Sequence, residues 1–111
     1  EERLATPHPL FNLLEPLGYP VFQDDYPGNS TTYITFFFYH EGAAYSSDNK
    51  EKRTGYYVQV DVWSVDGELA SNLRDQVKET LIQKGFTRKG ILGGIDKTAQ
   101  IYHKGMRFYF V

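Results

Sequence analysis

Residues Thr32 to Glu41 read TYITFFFYHE, and this run constrains the fold more than any other in the chain. Side chains of a strand point alternately to its two faces, so a strand with one wet face alternates apolar and polar residues. Here Ile34, Phe36 and Phe38 share one face, while Tyr33, Phe37 and Tyr39 share the other. Both faces therefore ask for cover. A chain of 111 residues has material for a single domain, with one modest core.

Two further segments repeat the pattern. Tyr56 to Ser64 (YYVQVDVWS) alternates cleanly, with Val58, Val60 and Val62 on one side and Tyr57, Gln59, Asp61 and Trp63 on the other. In Ala99 to Val111, Met106, Phe108 and Phe110 share a face opposite Arg107 and Tyr109. That segment is predicted to be one arm of a hairpin, with Phe86 to Leu92 as the other arm and Gly93-Gly94 as the turn region. Tyr19 to Gln23 reads as a short strand, which Pro20 assigns to a sheet edge because it lacks a ladder donor.

Between the second strand and the hairpin lies the clearest helix. Asp66 is its N-cap, Glu68 sits at the positive end of its dipole, and Lys84-Gly85 closes it. Leu69, Leu73, Val77 and Leu81, joined by Ala70 and Ile82, form its apolar stripe. At the other end of the chain, Glu1 to Ala5 is expected to be the tail of a helix that Pro7 and Pro9 end, and Leu10 to Leu14 to make one short turn. Asp24 to Thr31 reads as a loop with a Pro27-Gly28 turn. Glu41 to Gly55, polar and without periodicity, is predicted to be a long mobile hairpin connection. The fold class is α+β: a mainly antiparallel sheet of four to five strands, one main helix in the C-terminal half, and a short N-terminal helical segment packed against it.

On the assembled sheet the faces differ in kind. The valines, Ile34, Phe36, Phe38, Met106, Phe108 and Phe110 make a dry core, with the leucine stripe as lid. The other face carries Tyr33, Thr35, Phe37, Tyr39, Tyr57, Gln59, Asp61, Trp63, His103, Arg107 and Tyr109, a composition enriched at protein interfaces. Half-burying one such ring contributes about 2–3 kcal/mol gross. Several together offset an association cost of roughly 4–15 kcal/mol. Tyr33, Phe37, Tyr39, Tyr57, Trp63, Arg107 and Tyr109 are the expected oligomer or partner contacts, with Lys50, Lys52 and Arg53 as weaker candidates on a mobile assembly loop. The alternative cover is the N-terminal segment itself, through Leu4, Leu10, Phe11 and Leu14.

Chemistry is hard to find. The net charge of -2 argues against a general electrostatic grip on nucleic acid. With no cysteine, disulfides, thiolate metal sites and a Cys nucleophile are excluded, and a reducing compartment fits. No apolar run approaches the length of a membrane span of about 20 residues. Asn29-Ser30-Thr31 matches a glycosylation sequon but reads as a polar turn. His8, His40 and His103 lack the spacing of a helical metal site. Asp24-Asp25 reads as turn chemistry, and GGIDKT (Gly93 to Thr98) places Asp96 where a phosphate loop needs glycine. The serines lack the flanking glycines of a nucleophile elbow. No catalytic, cofactor-binding or metal-ligating residue is assigned, and no enzyme activity or cofactor is expected.

The wording of several segments resembles a known family. PLFNLLEPLGYPVF, YPGNSTTYITFFFYHE, GYYVQVDVWS, the helix ending LIQKGF, and IYHKGMRFYF are similar to small tail-component proteins of long-tailed phages and prophages of Gram-positive bacteria. These are the tail terminators, also called tail completion or head-to-tail joining proteins. The resemblance spans nearly the whole chain and contains no catalytic signature. It implies a structural protein at the head-proximal end of the virion tail, assembled in the host bacterial cytoplasm. It implies a hexameric ring that caps the tail tube protein, stops its polymerisation and meets the head connector or stopper protein. DNA would pass through the lumen without sequence-specific binding. The readings beside it are a head-completion stopper, a tail assembly factor absent from the virion, and a monomeric module holding a peptide strand at the Pro20 edge.

Overall fold

A computed structural model describes residues 8–24, 28, 30–45, 52–96 and 101–111. The elements in chain order are α1 (His8–Leu14), a 3-10 turn (Glu15–Leu17), β1 (Val21–Gln23), β2 (Thr32–Tyr45), β3 (Lys52–Ser64), α2 (Gly67–Gln83), β4 (Thr87–Asp96) and β5 (Ile101–Phe110). The strands form one sheet in the order β1-β2-β3-β5-β4, antiparallel except for the β1–β2 pair. This is the expected α+β architecture.

Its local logic follows the sequence closely at α2. Asp66 Oδ1 accepts hydrogen bonds from the backbone N–H of Glu68 and Leu69, satisfying two donors that the first turn leaves unpaired. Gly85, at φ 97°, and Phe86 then donate back to Ile82 and Leu81, closing the helix. Ala70, Leu73, Val77 and Leu81 are buried against the sheet. Ile82 departs from the expected stripe: it is 47% exposed on the outer side of the helix. One residue past Leu81 is 100° further round the helix, which carries Ile82 out of the core.

Three strand boundaries differ from the sequence reading, and the first two are lengthened for one shared reason. Ladder hydrogen bonds extend a strand through residues whose own propensity is poor. The first instance is the predicted connection Glu41 to Gly55: β2 runs on to Tyr45, and β3 begins at Lys52, so Lys52 and Arg53 are strand residues paired with Tyr45 and Ala44. Lys50 lies outside the described residues. In the second, Gly93 and Gly94 are not a turn but part of β4, opposite Lys104 and His103. The third is Tyr19 to Gln23, where only Val21 to Gln23 pair. They lie on the sheet edge that Pro20 marked, with Ile34 N–H donating to the Pro20 carbonyl at 2.8 Å.

At the N-terminus α1 is longer than the short turn expected over Leu10 to Leu14, starting at His8 with Pro9 in its first turn. Proline is tolerated in a first helical turn because the N–H it lacks would have no partner there. Glu1 to Ala5, Leu4, Asp25, Pro27, Asn29 and Lys97-Thr98 lie outside the described residues. Leu10 and Leu14 are fully buried in the main core, and Phe11 meets Phe36 edge-on at 5.1 Å. The described part of this segment therefore joins α2 on the core face. It does not cover the aromatic face, which was the alternative.

Candidate interaction surface

The second face of the sheet is ordered in rows by strand register. Tyr33, Trp63 and His103 stand side by side on β2, β3 and β5. Thr35, Asp61 and Gly105 form the next row, then Phe37, Gln59 and Arg107, then His40, Tyr57 and Tyr109. Tyr39 joins this last row because a register shift between Phe38 and His40 turns it toward Tyr57. All seven contact residues expected from the sequence thus share one surface.

Two aromatic clusters bracket a polar middle. At one end Trp63 stacks on His103 at 4.2 Å with an interplanar angle of 8°, and on Tyr33 at 6.0 Å. At the other end Tyr57 touches Tyr39, His40 and Tyr109, the last at 4.7 Å. The Arg107 guanidinium carbon sits 4.7 Å from the centre of the Tyr39 ring, a cation–π contact. Gly55 makes this cluster possible. A Cβ there would lie 2.6 Å from Tyr109 Oη, so only glycine lets that ring lie across β3.

The middle rows hold a hydrogen-bonded floor. Asp61 is 4% exposed, and Thr35 and Gln59 are buried with it. Gln59 Nε2 donates to both Asp61 oxygens, at 2.9 and 3.2 Å, and His103 Nε2 donates to Oδ1 at 2.5 Å. Arg107 Nε donates to Gln59 Oε1 at 3.1 Å, and Trp63 Nε1 to Thr35 Oγ1 at 3.0 Å. A buried carboxylate is costly unless such partners satisfy it. Gly105 is the β5 residue opposite Asp61, so the carboxylate's partner from that strand is His103, two residues earlier. Two of these bonds engage rings of the face, those of Trp63 and His103.

Alternation alone puts Gln59, Asp61 and His103 on this face without indicating that they bond to one another. Their signal was a carboxylate at an apparently half-exposed strand position flanked by Gln and Trp. Only the β3–β5 register brings His103 to it.

The imidazole–carboxylate pair does not by itself make a catalytic site. Nucleophilic catalysis needs a hydroxyl or thiol held on the imidazole. The hydroxyl in register with Asp61, that of Thr35, is engaged by Trp63. Among the described residues no group of three or more His, Asp or Glu side chains could hold a metal ion. No described helix is long and apolar enough to cross a membrane. The face combines rings in mutual contact, hydrogen-bonded polar groups between them and an exposed arginine, residue types enriched where proteins recognise one another.

No protein-family model matches the chain, and no curated protein matches it. Among solved structures, a chain from the virion of a native gene transfer agent (GTA) particle is similar, with a TM-score of 0.64 and 17% sequence identity. The match covers 90% of this chain and 81% of that one. The likeness is one of fold.

Proposed function

We propose that this chain is a structural protein of a phage or prophage virion that caps the tail tube as a ring and joins it to the head connector. The observation that carries this reading is the aromatic face. Of its seven contact residues Tyr39 and Arg107 are exposed and Tyr33, Phe37, Tyr57, Trp63 and Tyr109 half-buried, and both described helices lie on the opposite side of the sheet. Fold likeness to a chain of a gene transfer agent virion supports a place in a particle of that kind. The family resemblance supplies the finer role at the tail end.

The mechanism is geometric. Identical subunits pack side by side through unlike surfaces, a heterologous contact that closes when the rotation between neighbours divides a full turn. The closed ring covers the last tube subunits, stops further addition and presents a surface to the connector. Tyr33, Phe37, Tyr39, Tyr57, Trp63, Arg107 and Tyr109 are the contact residues. Lys52 and Arg53, at the start of β3, are the weaker candidates for contact with the tube or a neighbour.

Electron microscopy of tails assembled without this protein should show overlong or uncapped tubes. The double substitution Phe37→Ser with Trp63→Ser should reproduce that defect while the chain remains folded. Tails of normal length and infectivity with the double variant would overturn the interface assignment.

A second reading has its own observation. On the side away from β3, β1 pairs with β2 only as far as Phe36, and no other described strand continues along that edge. A monomeric module capturing an extended peptide would use this edge. A soluble monomer that binds strand peptides and is absent from purified particles would favour it.

A further inference from the structure

Ring closure through unlike surfaces requires a second surface on each copy. The outer side of α2 is distinctive. Glu68, Asn72, Asp75, Glu79, Ile82 and Gln83 are all exposed and recur at helical spacing, so they form one line down the helix. That line is acidic, whereas Arg74 and Lys78 lie half-buried on its flanks, Arg74 against Asp75 at 3.4 Å. It also ends on an apolar residue that the chain's own core does not use, Ile82 at 47% exposure.

The aromatic face complements it. Its exposed charge among the described side chains is Arg107, and its carboxylate, Asp61, is buried and already bonded to Gln59 and His103. The face thus offers a cation and rings but no exposed described carboxylate. Dimensions agree as well. A helix of the 17 residues of α2 is about 25 Å long, and the rows from Tyr33 to Tyr39 span about 20 Å. Because α2 packs on the core side of the sheet, its outer line and the aromatic face lie on opposite sides of the molecule. Opposed, unlike, complementary surfaces are what a head-to-tail contact needs.

We infer that the aromatic face of one copy receives the outer side of α2 from the next copy, with Glu79 and Asp75 meeting Arg107 and Ile82 entering the rings. The contact rests on the reading of this chain as a ring-former, and it repeats between copies the helix-on-sheet packing that already covers the core face within each one.

The chain contains no cysteine, so engineered pairs report contacts without background. Tyr39→Cys and Glu79→Cys are introduced together and singly, then oxidised in purified protein and in particle-producing lysates. The double variant should give a ladder of disulfide-linked copies on a non-reducing gel, and each single variant only monomer. Dimers from Tyr39→Cys alone would mean that the aromatic faces meet each other, and would overturn the assignment. Monomer from the double variant in both settings would also overturn it.

Should Tyr39→Cys fail to fold, charge exchange gives the same answer. Arg107→Glu should lower the assembled fraction at least tenfold, and adding Glu79→Arg should restore most of it. No restoration would overturn the pairing. These readouts concern contact between copies, whereas tail length in the absence of the protein tests capping, so failure of one is distinguishable from failure of the other.

Discussion

The two faces of one sheet have similar shares of large side chains and opposite fates. On one face Ile34, Phe36, Val58, Val60, Val62, Met106 and Phe108 are completely buried, covered by α1 and α2. On the other, Tyr39 remains 38% exposed, and its neighbours on that face are held by hydrogen bonds and ring contacts with each other. The difference lies in the polar atoms. A dry face needs only apolar volume from its lid. A face with Tyr hydroxyls, an indole N–H, a carboxylate and a guanidinium loses more by desolvation than any apolar helix could return, unless each polar atom is matched. The chain's own helices present leucines and therefore choose the first face.

Substitutions at matched positions can break or sharpen this contrast. The largest effect is expected at Phe36, which is fully buried: Phe36→Ala should cost about 3–5 kcal/mol in urea denaturation through lost burial and a cavity. A loss below about 1 kcal/mol would mean that the core face is not the main source of stability. Next comes the polar floor of the other face. Asp61→Ala leaves the Gln59 amide and the His103 N–H without their acceptor, and should cost about 1–3 kcal/mol by the same measurement. An unchanged midpoint would show that water replaces the carboxylate freely and that the floor does not fix the rings.

A smaller effect tests the lid. Asp66→Ala removes the cap of α2 and should cost about 1 kcal/mol, seen as a lower denaturation midpoint with the same slope. The smallest change in stability is expected at Arg107. Arg107→Ala removes a cation–π contact and one hydrogen bond at an exposed position, for about 0.5–1 kcal/mol. Its consequence should instead be found in assembly. If Arg107→Ala destabilises the monomer as strongly as Phe36→Ala, the aromatic face is part of the core and the contrast collapses.

Much of this was legible in the residues. Period-two alternation in residues 32–39 and 56–64 assigned each side chain to its face, since a strand permits only two directions. The N-cap at Asp66 and the closing Gly85 bounded α2, because their chemistry is local. Strand lengths were less legible: nothing near Ala43 or Gly93 favours extension, and the partner strand supplies the hydrogen bonds that impose it. The bond from His103 to Asp61 links residues 42 apart in sequence, so it existed only once β3 and β5 were in register. Ile82 was misplaced because membership of a helical stripe is a matter of degrees of rotation, and the position of the sheet decides where the stripe ends.

The sequence by itself determined which residues share a face and that one face would be apolar and the other aromatic and polar, because alternation is a property of the extended backbone alone. Tertiary structure decided which face the helices cover, how the polar atoms of the other are paired, and that an acidic line with an apolar end faces outward from α2. Those outcomes depend on distances between segments far apart in the chain, which only register and packing set.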